Sequence, residues 1–381
     1  MTATQLRIAL VHNLREGGAW RAMHEHRKHL SGEVIEFCLQ TATPIGADAR
    51  VTSFTPRAAR LRPALRPLPR HIDLAALSLA WRRLGRAVDN AGCDVVLAHP
   101  CQFLQAPLAL RWTHPPSVYF CHEPRRVDYE RSAAAQVNRS TRLLYGGLHR
   151  AEREFDRMGV RAAERLLTNS RFTAARIERA YGRDATPVPL GVAEVFRAEL
   201  PGGPRTHLLS VGTLIASKGH DMAIRAAALS SRRWPLIVVA PRSQPQEEAR
   251  LWALAEQSSV ALELRTGVSD LELRELYRGA VATLYLAREE PFGLVSLEAQ
   301  ACGSPVVVAA EGGLPETLVS GESGWAVARE DPAAAARAID ALEDADLQRA
   351  FSARARAHGC AQTWERSAAQ VQRALEQASG R

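Results

Sequence analysis

Two glutamates eight residues apart, Glu290 and Glu298, lie within Arg288 to Glu316, REEPFGLVSLEAQACGSPVVVAAEGGLPE. A carboxylate suits a vicinal diol because its two oxygens can accept from two hydroxyls at once. Around the glutamates the stretch offers backbone donors, the free N–H groups of the helix opened by Phe292-Gly293 and of the turn Glu311-Gly312-Gly313, and these suit a phosphate or a sugar hydroxyl. A further candidate is His122, in Cys121-His122-Glu123-Pro124-Arg125-Arg126. A histidine at the carboxyl end of a buried strand, beside an acid and two arginines, belongs where open α/β sheets bind ligands. Gly17-Gly18, at the first strand-to-helix turn, lets a phosphate approach a helix N-terminus. The alternative for each glutamate is a solvated acid near a helix start, where a negative charge gains roughly 0.3–1 kcal/mol.

The elements that must position these groups alternate along the whole chain. Pro291 suits a first helical turn, and the helix opened by Phe292-Gly293 ends at Gly303. Pro305 to Ala310 is apolar without alternation, which predicts a strand buried on both faces. Upstream, strands are expected at Leu6 to His12, Val34 to Leu39, Asp94 to His99, Ser117 to Cys121 and Arg165 to Asn169. Helices are expected at Trp20 to Leu30, Leu74 to Val88 and Arg139 to Arg161, with one capped by Ser170 and running to Tyr181. Ala198 to Thr206, AELPGGPRT, reads as a linker. The rhythm then restarts with strands at Leu208 to Val211, Pro235 to Ala240, Val260 to Leu264 and Val281 to Leu286, separated by helices. Gly324 to Val327 and three C-terminal helices close the chain. Two such runs predict an α/β fold of two Rossmann-like doubly wound domains facing a central cleft.

A length of 381 residues favours about two domains, and 46% hydrophobic with 24% charged residues is the balance of a soluble globular protein. No apolar run reaches the roughly 20 residues needed to cross a bilayer, and the N-terminus enters a strand directly, so a cytoplasmic location is expected. Six scattered cysteines suggest reduced, mostly buried side chains. The net charge of +8, mostly from arginine, favours anionic partners without choosing among them. Between Arg57 and Arg70, arginines are interleaved with prolines that forbid a regular element. That stretch is either a solvated excursion or a basic surface for peripheral contact with an anionic membrane. The basic residues are not interleaved with aromatics, which argues against nucleic acid. The stricter dinucleotide fingerprint is absent from the first turn, which argues against a nicotinamide enzyme.

At EPFGLVSLEAQACGSPVVVAAEGGLPETLVSGESGW, SVGTLIASKG, LLTNSRFTAARIERAYG and VYFCHEPRR, the chain resembles the GT-B glycosyltransferases of family 4, the retaining group 1 enzymes. The resemblance covers nearly the whole chain. It implies an N-terminal acceptor-side domain over residues 1–195 and a nucleotide-sugar-binding domain over 206–363, with the helix 364–381 packing back on the first. It implies that Glu290 and the backbone of Phe292, Gly293 and Leu294 hold donor-sugar hydroxyls, and that Glu298 holds the ribose diol. Lys218 would neutralise the diphosphate, Gly17 or Gly18 would approach it, and His122 would contact the donor sugar. The family usually carries an arginine where this chain has Thr213. Loss of one fixed cation from such a site costs on the order of 3 kcal/mol, about a hundredfold in rate, unless Arg171 or Arg288 substitutes in space.

The reaction implied is retaining transfer from a nucleoside diphosphate sugar to a hydroxyl acceptor, with the leaving phosphate assisting acceptor deprotonation. Neither a metal nor another cofactor is expected. Asp344-Ala345-Asp346 resembles a metal-binding acid pair but is placed to cap a helix. The CHEPRR segment resembles that of mannosyltransferases, which implies GDP-mannose ahead of UDP-glucose or UDP-N-acetylglucosamine. A lipid-linked or envelope glycan is the favoured acceptor, with a small-molecule natural product second. The rival classes are a nucleotide-sugar epimerase of the same fold and a non-catalytic nucleotide-sugar-binding subunit. The first needs more acid/base residues than are evident, and the second is suggested only by Thr213.

Overall fold

A computed structural model describes residues 5–56, 70–126, 139–197 and 203–380. The chain divides into two compact units, one formed by residues 1–188 with 365–381 and the other by residues 189–364. Each is an open parallel sheet flanked by helices.

In the first unit the strands are β1 (Arg7–Asn13), β2 (Glu33–Leu39), β3 (Arg50–Thr52), β4 (Val95–Cys101), β5 (Ser117–Phe120), β6 (Arg165–Thr168) and β7 (Thr186–Pro187). They lie in the order β3-β2-β1-β4-β5-β6-β7, every pair parallel. The apolar runs of β1 and β4 are buried on both faces, as strands covered by helices on each side must be. Trp81, Leu84 and Val88 of the helix Arg70–Asn90 pack into the same core as Val11, Phe37 and Val96. The helix Trp364–Ser379 joins this unit through His26 Nε2 to Ser367 Oγ at 2.9 Å and Gln372 Oε1 accepting from the Ser31 N–H. Two short strands were not anticipated. β3 pairs with Phe37 to Leu39 before the prolines begin at Pro56, and β7 is a two-residue edge. The helix at Arg70 starts four residues ahead of the expected Leu74. The membrane contact expected of Arg57 to Arg70 falls, up to Pro69, outside the described residues. Among the described residues no helix is long and apolar enough to cross a membrane.

In the second unit β8 (His207–Val211), β9 (Leu236–Ala240), β10 (Leu262–Thr266), β11 (Ala280–Tyr285), β12 (Val306–Ala309) and β13 (Gly324–Val327) form a parallel sheet in the order β10-β9-β8-β11-β12-β13. Residues 189–197 pack here, although the expected first domain ran to 195. The reason is tertiary. A side chain at Gly191 would strike the backbone of Thr363 and Trp364, Val192 bridges to Thr363, and Phe196 is buried against Tyr277 with ring centroids 5.9 Å apart. The end of the expected linker is also structural, since Arg205 donates to the carbonyls of Ala280 (2.5 Å) and Gly303 (2.6 Å). Asp344 caps the helix Ala345–Ala361, accepting from the N–H groups of Asp346 and Leu347.

Candidate active site

The strand order of the second sheet reverses between β8 and β11, and open α/β sheets bind ligands beyond the strand ends at such a switch point. Lys218 comes from the loop after β8, Glu290 from the loop after β11. Gly212 leaves β8, and the Lys218 stem lies over it, with its Cβ, Cγ and Cδ 3.5–3.6 Å from where a side chain would begin. The chain then makes a single 3-10 turn, Ala216–Lys218, closed by Gly219 in the left-handed region at φ 75°. A side chain at Gly219 would collide with the backbone of Leu286, so glycine allows this turn to press against the exit of β11. The Arg288 N–H donates to the Ser217 carbonyl at 2.7 Å and fixes that contact. Buried His220 locks the same loop, pairing Nδ1 with Ser210 Oγ at 2.9 Å and donating from Nε2 to the Thr213 carbonyl at 3.3 Å. Burial lowers its pKa to about 4, which keeps it neutral.

As a result Lys218 Nζ donates to Glu290 Oε2 at 2.6 Å and to Tyr285 Oη at 3.3 Å. The lysine and glutamate side chains are 22% and 17% exposed, so both remain reachable from solvent. Behind Glu290, the Gly313 N–H donates to the Glu290 carbonyl at 2.7 Å. Glu289 adopts φ 47°, a strained value for a residue with a side chain, and its N–H donates to Glu311 Oε1 at 3.2 Å. The following helix is Leu294–Ala301, starting later than Phe292-Gly293 suggested because Gly293, at φ 114°, is its cap. Gly293 has no side chain to bond the first helical N–H groups. Glu298 is buried within this helix and accepts from Tyr277 Oη at 3.3 Å. Burial, then the nearby Glu298 charge, raises the Tyr277 pKa well above its ordinary value and keeps the phenol a donor.

Residues 193–358 match the model of glycosyl transferases group 1, and residues 16–194 that of glycosyltransferase family 4. The chain is 33% identical over 332 residues to a D-inositol 3-phosphate glycosyltransferase of Acidothermus cellulolyticus, covering 79% of this chain and 71% of that protein. It is therefore a member of the group 1, family 4 glycosyltransferases. A second relative, D-inositol 3-phosphate glycosyltransferase 2 of Catenulispora acidiphila, is 35% identical over 238 residues, 55% of each chain. The fold matches sucrose-phosphate synthase of Thermosynechococcus elongatus with TM-score 0.72 at 21% identity, over 98% of this chain and 99% of that one. It also matches Anabaena HepE in complex with UDP, with TM-score 0.72 at 17% identity, over 98% and 100%. Both likenesses identify the two-domain GT-B fold.

Within this glycosyltransferase, the second unit brings together Lys218, Glu290 and the backbone of Phe292, Gly293 and Leu294, with Glu298 deeper in the same helix. Thr213 is half-buried, and its carbonyl is taken by His220 and the Ile215 N–H. Arg288 is half-exposed and pairs with Glu330 at 3.0 Å. Gly17, Gly18, His122 and Arg171 belong to the first unit. Both glycines are exposed, nothing lies within 4 Å of a side chain placed on Gly18, and Gly17 caps the helix Gly18–His29. Arg171 is the exposed first residue of the helix Arg171–Tyr181. His122 follows β5 and is buried, its carbonyl accepting from Asn169 Nδ2 at 3.1 Å. Burial lowers its pKa to about 3, so the ring is neutral.

Sequence reasoning missed Tyr285 and Tyr277, which read as members of an apolar strand and helix. It gave no role to His99, which read as the end of a strand. One available signal marked Lys218: of 49 basic residues only Lys28 and Lys218 are lysines. In so arginine-rich a chain, a lysine marks a position that needs a compact point charge.

Proposed function

We propose that this glycosyltransferase moves a sugar from a uridine diphosphate sugar to a hydroxyl of a phosphorylated polyol or glycan, with retention at the anomeric carbon. The observation that carries the reading is the Lys218–Glu290 pair at the switch point, 2.6 Å apart and open to solvent. A diphosphate arriving there takes Lys218 Nζ, which frees Glu290 to accept from sugar hydroxyls beside the N–H groups of Phe292, Gly293 and Leu294. Glu298 holds the ribose, and the family resemblance gives His122 a contact with the donor sugar and Gly17 or Gly18 an approach to phosphate. Lys218 then stabilises the leaving diphosphate in the transition state. The HepE structures with UDP and with UDP-glucose support uracil as the base, and the names of the relatives support a phosphorylated polyol acceptor. GDP-mannose, favoured by the CHEPRR segment, has no such support and ranks second.

Arg288 supplies the cation that Thr213 does not. Its N–H bond to Ser217 roots it beside the Lys218 turn, and its partner Glu330 is 73% exposed, so this ion pair breaks at a cost of at most about 1 kcal/mol. The test is a thermal-shift comparison of UDP, GDP, ADP and dTDP, since a ligand of the native state stabilises by RT ln(1 + [L]/Kd). UDP should give the largest shift, and Arg288→Ala should reduce it. The product's anomeric configuration follows from its proton NMR spectrum. A shift with GDP and none with UDP, or an inverted product, overturns the reading. The scheme uses no metal, so activity that disappears with a chelator and returns with manganese also counts against it.

A further inference from the structure

Behind His122 lies a second histidine for which the transfer scheme has no role. His99, in β4, is fully buried, and its Nδ1 is 3.4 Å from His122 Nε2. Phe120 stacks on the His99 ring with centroids 5.7 Å apart and an interplanar angle of 9°, which fixes the ring plane. The His122 main chain is tied by Asn169. The two imidazoles therefore share one N–H···N contact with limited freedom to turn.

Burial holds both rings neutral, so each carries one proton and the contact needs one donor and one acceptor. His99 Nε2 is buried and has no hydrogen-bond partner among the described residues. If the His99 proton sat on Nε2, a buried N–H would be left without an acceptor, which costs about 1–3 kcal/mol. With the proton on Nδ1, that group donates to His122 Nε2, and only a lone pair is left facing the core. His122 must then carry its own proton on Nδ1. We propose that His99 is a positioning residue that fixes His122 as the Nδ1–H tautomer, so that His122 presents a hydrogen-bond donor, and no basic lone pair, to the ligand.

The proposal rests on the reading of His122 as a donor-sugar contact and deepens it. A ring presenting Nδ1–H binds an oxygen of the sugar or phosphate and cannot accept the acceptor's proton at that atom, which leaves deprotonation to the leaving phosphate. The experiment is a long-range proton–nitrogen NMR spectrum of the full-length protein with ¹⁵N-labelled histidine, His122 being assigned by comparison with His122→Gln. His122 should show a protonated Nδ1 and an unprotonated Nε2 in the wild type. His99→Leu, which removes the donor, should lose that pattern, and His99→Asn, whose amide can donate from a similar place, should restore it. A wild-type His122 protonated on Nε2 overturns the proposal. So does an unchanged Nδ1–H pattern in a His99→Leu protein whose melting curve shows it folded. If His99→Leu does not fold, the wild-type and His99→Asn spectra still decide. None of these readouts requires turnover, so a wrong donor or acceptor assignment leaves the result intact.

Discussion

Gly312 sits where the turn after β12 presses on the loop that carries Glu290, and substituting it tests whether that packing sets the glutamate's position. A Cβ on Gly312 would lie 2.6 Å from the Glu290 carbonyl oxygen and 2.8 Å from its nitrogen, and real Cβ atoms essentially never come within 3.0 Å. Gly312→Ala must therefore push the Glu290 backbone away by at least about 0.4 Å. Overpacking of this kind costs about 1–3 kcal/mol. Gly312 is also at φ 71°, and a left-handed conformation costs a residue with a Cβ roughly 1–2 kcal/mol more. Gly182 separates the two effects, since at φ 65° it has nothing within 4 Å of an added Cβ and bears only the conformational cost. Calorimetry should show Gly182→Ala lowering Tm by a few degrees and Gly312→Ala by roughly 5–15 °C. In a transfer assay, kcat/KM should fall about tenfold for Gly312→Ala, as expected when a binding group is displaced by a fraction of an ångström, and stay within about twofold for Gly182→Ala. If the two variants melt alike and Gly312→Ala keeps full activity, the turn does not position Glu290.

Stability should fall as pH drops below about 6.5, because burial lowers the pKa of His26 and of His122 to about 3 and that of His99 in the same direction. For His26 and His122 the unfolded chain then binds more protons than the native one between about pH 6.5 and 3, so each of these two contributes stability above that window and loses roughly 1 kcal/mol per pH unit within it, and His99 acts in the same direction. Urea melts at pH 7.5 and 5 check this, and equal stabilities would contradict it. Tyr277→Phe removes the hydroxyl that donates to Glu298 Oε2 and should weaken binding of UDP by about 1 kcal/mol, roughly fivefold, in calorimetric titration. The same variant should narrow the preference for UDP over its 2′-deoxy analogue. Asp344→Ala should lower stability by about 1 kcal/mol through loss of a helix cap and leave activity unchanged, with or without added manganese.

Both sheets were legible in the sequence because parallel strands covered on both faces must be apolar throughout, and β1, β4, β8, β11 and β12 carry such runs. The loop residues of the second unit were legible for a similar reason, since a glycine turn opposite a buried strand end allows few local structures. β3 and β7 were not, because three and two residues are too short for a periodicity, and their pairing with β2 and β6 creates them. The boundary at Val188 was hidden too, being set by Gly191 against Thr363 and Trp364, a contact across more than 170 residues.

The alternating α/β pattern, the family resemblance, and the residue types that follow β8 and β11 could all be read along the chain. Its local signals sufficed because caps, turns and buried strands each impose their own composition. What those residues do to one another came from the packing of distant segments. That packing joined Lys218 to Glu290 across 72 positions, set Tyr277 on Glu298, engaged Arg288 with Glu330, and laid His99 behind His122. Strand order and the depth of burial fix such pairings, and both arise only when distant segments pack together.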